Sequence, residues 1–494
     1  MSAETDLSLS TDEKITELWD LIDFIWILVS AVLVLNMQSG FCFLEVGLAR
    51  SKNGKSVLLK NVFDCIAMLF CWGAGGHAIA SKNGKSIFVG TGNWSFDNSD
   101  AQGAMDAVSW LFQASFASTA VTIIGGAVIE RCDYKAYLMI TVLFCYGTYA
   151  VICRWTWSED AWLANSNTFY WLHFMDFAGS GVVHMVGGIS GLVHCYLIGP
   201  RMWRFGPQGN PLELEGANNL ILSTIGTLVL LVAWYGFNCG STLGLSNGRG
   251  IIAVRIAVAN TLSCTAAGCT AMAYTWVREM DQLQPSLNSI LAGLVGITGV
   301  CDTIELWAAP LVGVVAAIGS MWCDQILLRF QIDDPIGVVG VHGVAGMWGV
   351  LAVGIFAKIG LDDGKRGLLY GDVNLFCSQI FGMVVLVSYT AGSQALIFWV
   401  VNRVKPIRIS PEAEEMGMDR YYHHGAVTND CALVHPASTF RTHLLAEDRM
   451  RFLIWRPYFI LLHSRTQKSP CAFPADAAFP FLLLCCYSSH PSTA

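Results

Sequence analysis

Apolar runs of about twenty residues follow one another along most of the chain, and no other feature limits its possible folds so sharply. As a helix, each run is long enough to cross a hydrocarbon core of roughly 30 Å. Eleven runs can be distinguished, at about 21–45, 60–80, 107–129, 135–153, 174–198, 219–243, 253–277, 288–304, 307–328, 336–357 and 375–401. Barrel strands would be short and alternating, whereas these runs are solid. Composition agrees. Only 13% of residues are charged and 54% are hydrophobic, against roughly 25% charged in soluble domains. The expected fold class is an all-α polytopic membrane protein with eleven transmembrane helices. The net charge of −8 says little about partners, because most of the surface faces lipid, and nothing points to nucleic acid.

The connecting loops alternate in charge. The first, third and fifth carry Arg50, Lys52, Lys55 and Lys60, then Arg131 and Lys135, then Arg201 and Arg204. Arg403, Lys405 and Arg408 follow the last run. The second and fourth loops carry Asp97, Asp100 and Asp106, then Glu159 and Asp160. By the positive-inside rule the odd loops and the C-terminus are cytoplasmic and the acidic N-terminus is external, which requires an odd number of spans. A glycosylation sequon, "NWS" at 93–95, then falls in an external loop. No basic n-region precedes the first run, so no cleavable signal is expected.

Residues 1–20 form an external N-terminal segment on this reading, 21–402 the helical domain and 403–430 a cytoplasmic tail. Residues 431–494 hold only short apolar pieces, such as "FPFLLLCCY", and are expected to lack fixed structure. The 17 cysteines form no C-x-x-C pair and lie mostly singly in apolar runs, as packing residues do. No metal or cofactor is implied, nor does any nucleophile–base constellation suggest an enzyme. "ARSKNGKS" at 49–56 fits a loose P-loop pattern but joins two membrane runs, without the strand and soluble helix such a loop needs. "SKNGKS" recurs at 81–86 for no physical reason visible in the sequence.

Two histidines carry the functional signal. His184 lies in "DFAGSGVVHMVGGISGLVHCYLIG" and His342 in "DDPIGVVGVHGVAGMWGVLAVG". With the two aligned, Asp176 matches Asp334, Gly179 matches Gly337, and Val183 matches Val341. After the histidines, Val186 matches Val344, Gly188 matches Gly346, and Gly191 matches Gly349. The histidines fall in the fifth and tenth runs. Two halves of five spans each have opposite orientation, giving two inverted five-helix repeats plus an eleventh helix. Such folds place their site near the midplane between the halves. Glycines at +4 and +7 share a helix face and permit close backbone approach. One membrane histidine could simply bond to a neighbouring helix. Two at matching places fit a pathway better, since ionisable residues in a membrane usually face one. Neutral imidazoles offer one donor and one acceptor each, which suits a small solute or a proton.

Several blocks resemble the ammonium transporter family, within the superfamily that also holds methylammonium permeases and Rhesus proteins. They are "DFAGSGVVHMVGGISGLVHCYLIGPR" (176–201), "MQSGFCFLEVGLARSKN" (37–53), "FQASFASTAVTIIGGAVIER" (112–131), "WYGFNCGS" (234–241) and "DDPIGVVGVHGVAGMWG" (333–349). The resemblance runs from about 18 to 430. It implies a homotrimer in the plasma membrane, one pore per subunit, eleven helices and an external N-terminus. Phe116, Trp157 and Ser241 resemble the family's external recruitment site for ammonium, with methylammonium as analogue. Phe116 and Phe237 resemble its phenyl gate, His184 and His342 its pore histidines, and Asp176 its structural support. The expected function is uptake of NH4+, deprotonated beneath the gate and passed on as NH3, with the proton free to travel separately along the pair. Alternatives are an electroneutral Rhesus-like NH3 channel, or an ammonium sensor signalling through the tail. Two departures stand out. Gly337 fills a place that is often acidic in the family. In the tail-like segment 408–425, Gly417, Asp419 and Gly425 match, but Tyr421 and Tyr422 stand where some plant relatives carry a phosphorylated threonine.

Overall fold

The computed structural model describes residues 10–81, 86–92, 101–164, 171–214, 219–281, 283–358 and 366–423. The sequon at 93–95, Gly425, the segment 431–494 and most of the second "SKNGKS" lie outside the described residues. The described chain is helical, with isolated bridges and no strand. Among the described residues, ten helices are long and apolar enough to cross a membrane. They match ten of the eleven expected runs. The other, at 288–304, falls on the helix Leu283–Thr298, whose 16 residues reach only about 24 Å.

The helix boundaries differ from the sequence reading at informative places. The first helix begins at Thr11, ten residues before the apolar run, because Ser10 and Glu13 close a capping box there. The expected external segment is therefore helical from Thr11. The fifth helix begins at Ser180 rather than 174. Gly179 stands before it at φ +105°, in the left-handed region that only glycine enters freely. Asp176, which the apolar run at 174–198 would place inside the helix, is thus not on it. It precedes the helix and accepts hydrogen bonds from the first turn's N–H groups: Gly179 N at 3.2 Å, Gly181 N at 2.9 Å and Val182 N at 2.8 Å. Asp334 repeats the device, accepting from Val339 N at 2.7 Å, with Gly337 at φ +82°.

These two helices form the centre. In Ser180–Ile198 and Val339–Phe356, 78% and 72% of the apolar stretch is buried, against 28% in Thr11–Leu48 and Val373–Val404. Outward faces of the peripheral helices carry exposed Ile25, Phe70, Ile251 and Leu396, as lipid contact demands. The central pair cross through their glycines reciprocally. A Cβ on Gly188 would lie 2.7 Å from the carbonyl carbon of His342, and one on Gly346 would lie 2.7 Å from Met185 N. A Cβ on Gly191 would sit 3.1 Å from Val338, and one on Gly349 would sit 2.7 Å from Ser180 Cβ. The same offsets serve in both helices, which is local two-fold symmetry.

One end of the bundle is held by ion pairs. Glu130 accepts from Arg50 N and Nε, each at 2.6 Å, and from Arg201 at 3.3 Å. Asp333 accepts from Arg201 Nε at 2.8 Å, while its carbonyl takes Arg131 at 2.7 Å. Burial alone would raise the Asp333 carboxyl, but the Arg201 hydrogen bonds and charge outweigh it and hold that group well below the usual carboxylate range. The short helices Pro411–Met416 and Met418–His423 dock at the same end. Asp419 accepts from Lys55 N and Ser56 N, both at 2.8 Å, so a carboxylate of the tail caps the helix Gly54–Cys71, whose first turn lies in the P-loop-like stretch.

Candidate functional site

A column of aromatic rings runs into the centre of the bundle and ends on the histidines. Trp157, half-buried, stands at its mouth and meets Phe116 edge-on at 6.0 Å between centroids. Phe116 stacks on Phe237 at 4.0 Å and 16°. Phe237 lies 5.3 Å from His184, and His184 lies 5.3 Å from His342. Phe41 follows, 6.1 Å beyond His342. From Phe116 inward these side chains are at most 4% exposed.

Each ring is positioned by local structure. Trp157 Nε1 donates to Asp176 O at 2.8 Å, so the residue that caps the His184 helix also fixes the indole. Ser241 Oγ donates to Phe237 O at 2.8 Å, one turn back on the same helix. Its tie to the column is through Phe237, and the oxygen's lone pairs stay free to accept. Phe237 and Trp234 share a helix face. Trp234 stacks on His184 at 4.9 Å and 15°, while its Nε1 donates to Thr298 at 3.0 Å.

The histidine pair is joined edge to edge, with Nδ1 to Nδ1 at 3.2 Å. One Nδ1 must donate and the other accept. In the neutral pair the donor ring then has a bare Nε2 and the acceptor ring an Nε2–H. The pair thus presents one acceptor and one donor outward, and His184 Nε2 has no protein partner. The site combines an aromatic, partly open mouth, a closed phenyl stack and a buried pair able to trade a proton.

The structure brings six of the seven sequence-selected residues into one column with its support: Phe116, Trp157, Phe237, His184, His342 and Asp176. Ser241 adjoins it. Trp234 and Phe41 were missed. Trp234 had a signal, being three residues before Phe237 and seven before Ser241, all on one helix face. Phe41 had none, since a phenylalanine in an apolar run is ordinarily core.

The family model described as "Ammonium Transporter Family" matches residues 25–428. Ammonium transporter Amt2 of Archaeoglobus fulgidus is 35% identical over 410 residues, covering 81% of this chain and 86% of its own. Ammonium transporter 1 member 1 of Arabidopsis thaliana is 34% identical over 401 residues, 77% of this chain and 80% of its own. A solved structure titled "Sensor Amt Protein" superposes with TM-score 0.75 at 29% identity, covering 83% of this chain and 100% of that one. Mep2 of Candida albicans superposes with TM-score 0.70 at 25% identity, covering 80% and 88%.

Proposed function

The chain belongs to the ammonium transporter family, and on that premise we propose that it is an ammonium uptake transporter rather than an enzyme. NH4+ is recruited between Trp157, Phe116 and Ser241. Aromatic faces attract a cation by about 0.5–2 kcal/mol, more as water is removed, and the serine oxygen accepts one N–H. Beneath this site the Phe116–Phe237 stack is the gate. A charged ion beyond it would lose its hydration in an apolar channel at heavy cost. Ammonium avoids that cost by giving up a proton, and NH3 passes along His184 and His342. Potassium has no proton to give, which supplies selectivity. The observation that carries this reading is the continuous ring column ending on two imidazole nitrogens 3.2 Å apart.

The mouth at Trp157 faces outward on this reading, with the N-terminus external and the docked tail cytoplasmic in a plasma-membrane homotrimer. The loop charges support that orientation. A purely neutral NH3 channel has less use for a cation site at its mouth. A sensing role has one observation in its favour, the superposition on a chain titled as a sensor.

Two-electrode recording in oocytes tests the proposal, with NH4+, methylammonium and K+ applied in turn. A saturable inward current with NH4+ and none with K+ is expected. Trp157→Leu should raise the half-saturating concentration about two- to thirtyfold, the range of one cation–π contact. Internal pH change without current selects the neutral channel. No current and no uptake, with the protein at the surface, would count against transport and for sensing.

A further inference from the structure

Beyond His342 lies a small cavity, about 20 Å³, lined by Phe41, Glu45, Asn288, Val338, Val341 and His342 among others. That is room for one water. Glu45 is 1% exposed, and it brings a carboxylate to the same space as the second histidine. Its Oε1 lies over Gly126, where an added Cβ would be 3.1 Å from it and 2.6 Å from Ile336 of the cavity wall. Its Oε2 accepts from Asn61 Nδ2 at 2.8 Å.

Glu45 leads to a buried polar group that the ring column does not use. Asp64 accepts from Tyr137 at 2.9 Å, and Lys60 Nζ donates to Gly125 O at 2.8 Å. Glu45, Lys60, Asn61 and Asp64 are each at most 5% exposed. The group contains two carboxylates and one ammonium. The group is neutral only when it holds one proton more than its ionised side chains. Buried charge without compensation is costly, so the arrangement favours taking up a proton. Two buried acceptors, Asn61 Oδ1 and Asp64 Oδ1, also have no hydrogen-bond partner. Orphaned buried acceptors call for a donor.

We propose that Glu45 receives the proton that the histidine pair takes from ammonium, through one water in the shared cavity. The proposal rests on the transport reading above. NH4+ gives one proton to the pair and continues as NH3. The imidazolium releases a proton through His342 to the water, and that water gives one to Glu45. The products are two neutral imidazoles, water, a neutral carboxyl group and NH3, so protons and charge balance. NH3 and the proton part at His342, and the Lys60–Asp64 group makes room for the added proton.

The test is the charge moved per methylammonium taken up, measured as current and radiolabel uptake in the same oocytes. Glu45→Gln keeps the side chain's size and an acceptor for Asn61 but has no site for the proton. It should lower the charge-to-uptake ratio about tenfold or more, as loss of a positioned proton acceptor does. Glu45→Asp should restore part of the ratio. A variant that merely folds poorly lowers current and uptake together and leaves the ratio at the wild-type value, which would overturn the proposal. So would wild-type uptake that carries no charge, although transport itself would then stand. Absence of both uptake and current in the wild type would instead remove the transport reading.

Discussion

At the scale of single residues, the site depends on contacts that leave no room for a side-chain carbon. The Gly188 Cα sits so close to the His342–Gly343 backbone that a Cβ would lie 2.7 Å from a carbonyl carbon. Backbone cannot swing aside as a side-chain tip can. Gly188→Ala should therefore separate the two helices or cost about 1–3 kcal/mol in overpacking. Gly191→Ala, whose Cβ would meet side chains at 3.1 Å, should cost less. Thermal unfolding in detergent checks the order, and equal midpoints for the two variants would refute it. These glycines were legible in the sequence, because matched offsets in two segments mark a shared face. Trp234 was less so. Its stacking on His184 depends on how the Leu220–Gly240 helix is rotated, which an almost wholly apolar helix does not encode.

At the scale of elements, helix starts were the least legible feature. Apolar periodicity continues through Phe174 and Phe177, yet the helix begins only at Ser180. A positive-φ glycine and a capping aspartate decide that, and both reappear before the second histidine. Gly337, a departure from the family pattern, holds the same positive-φ place before its helix that Gly179 holds in the other copy. The loops between elements are fastened by charge. Asp333 has a folded-state pKa below its unfolded value, so its pairing with Arg201 stabilises the fold above the ordinary aspartate range and fades as pH falls through the lower folded value. The unfolding midpoint should change little near neutrality and fall below pH of about 4. Asp333→Asn should lower the neutral midpoint and flatten the acid fall. Melts followed by tryptophan fluorescence test this, and parallel pH curves for variant and wild type would contradict it.

At the scale of the whole molecule, the tail joins segments far apart in sequence. Glu414 accepts from Met202 N at 2.6 Å and pairs with Arg408 at 2.9 Å, while Lys52 Nζ donates to Glu415 O at 2.8 Å. Glu414→Ala should loosen this docking, so that limited trypsin cuts after Arg408 faster, as mass spectrometry would read. Cleavage at the wild-type rate would mean that Glu414 does not hold the tail. The sequence by itself determined that the chain is helical and multi-pass, that two of its segments are copies, and that each copy centres on a histidine. Those follow from length, hydropathy and spacing, which are properties of the chain alone. Only the tertiary structure decided that Phe116, Phe237 and the histidines stack in one column, that Asp176 caps rather than extends a helix, and that Glu45 shares a cavity with His342. Residues from five helices meet there, and their distances depend on how the helices are rotated and crossed. Close packing sets those rotations through many small contacts at once, and no single stretch of sequence records them.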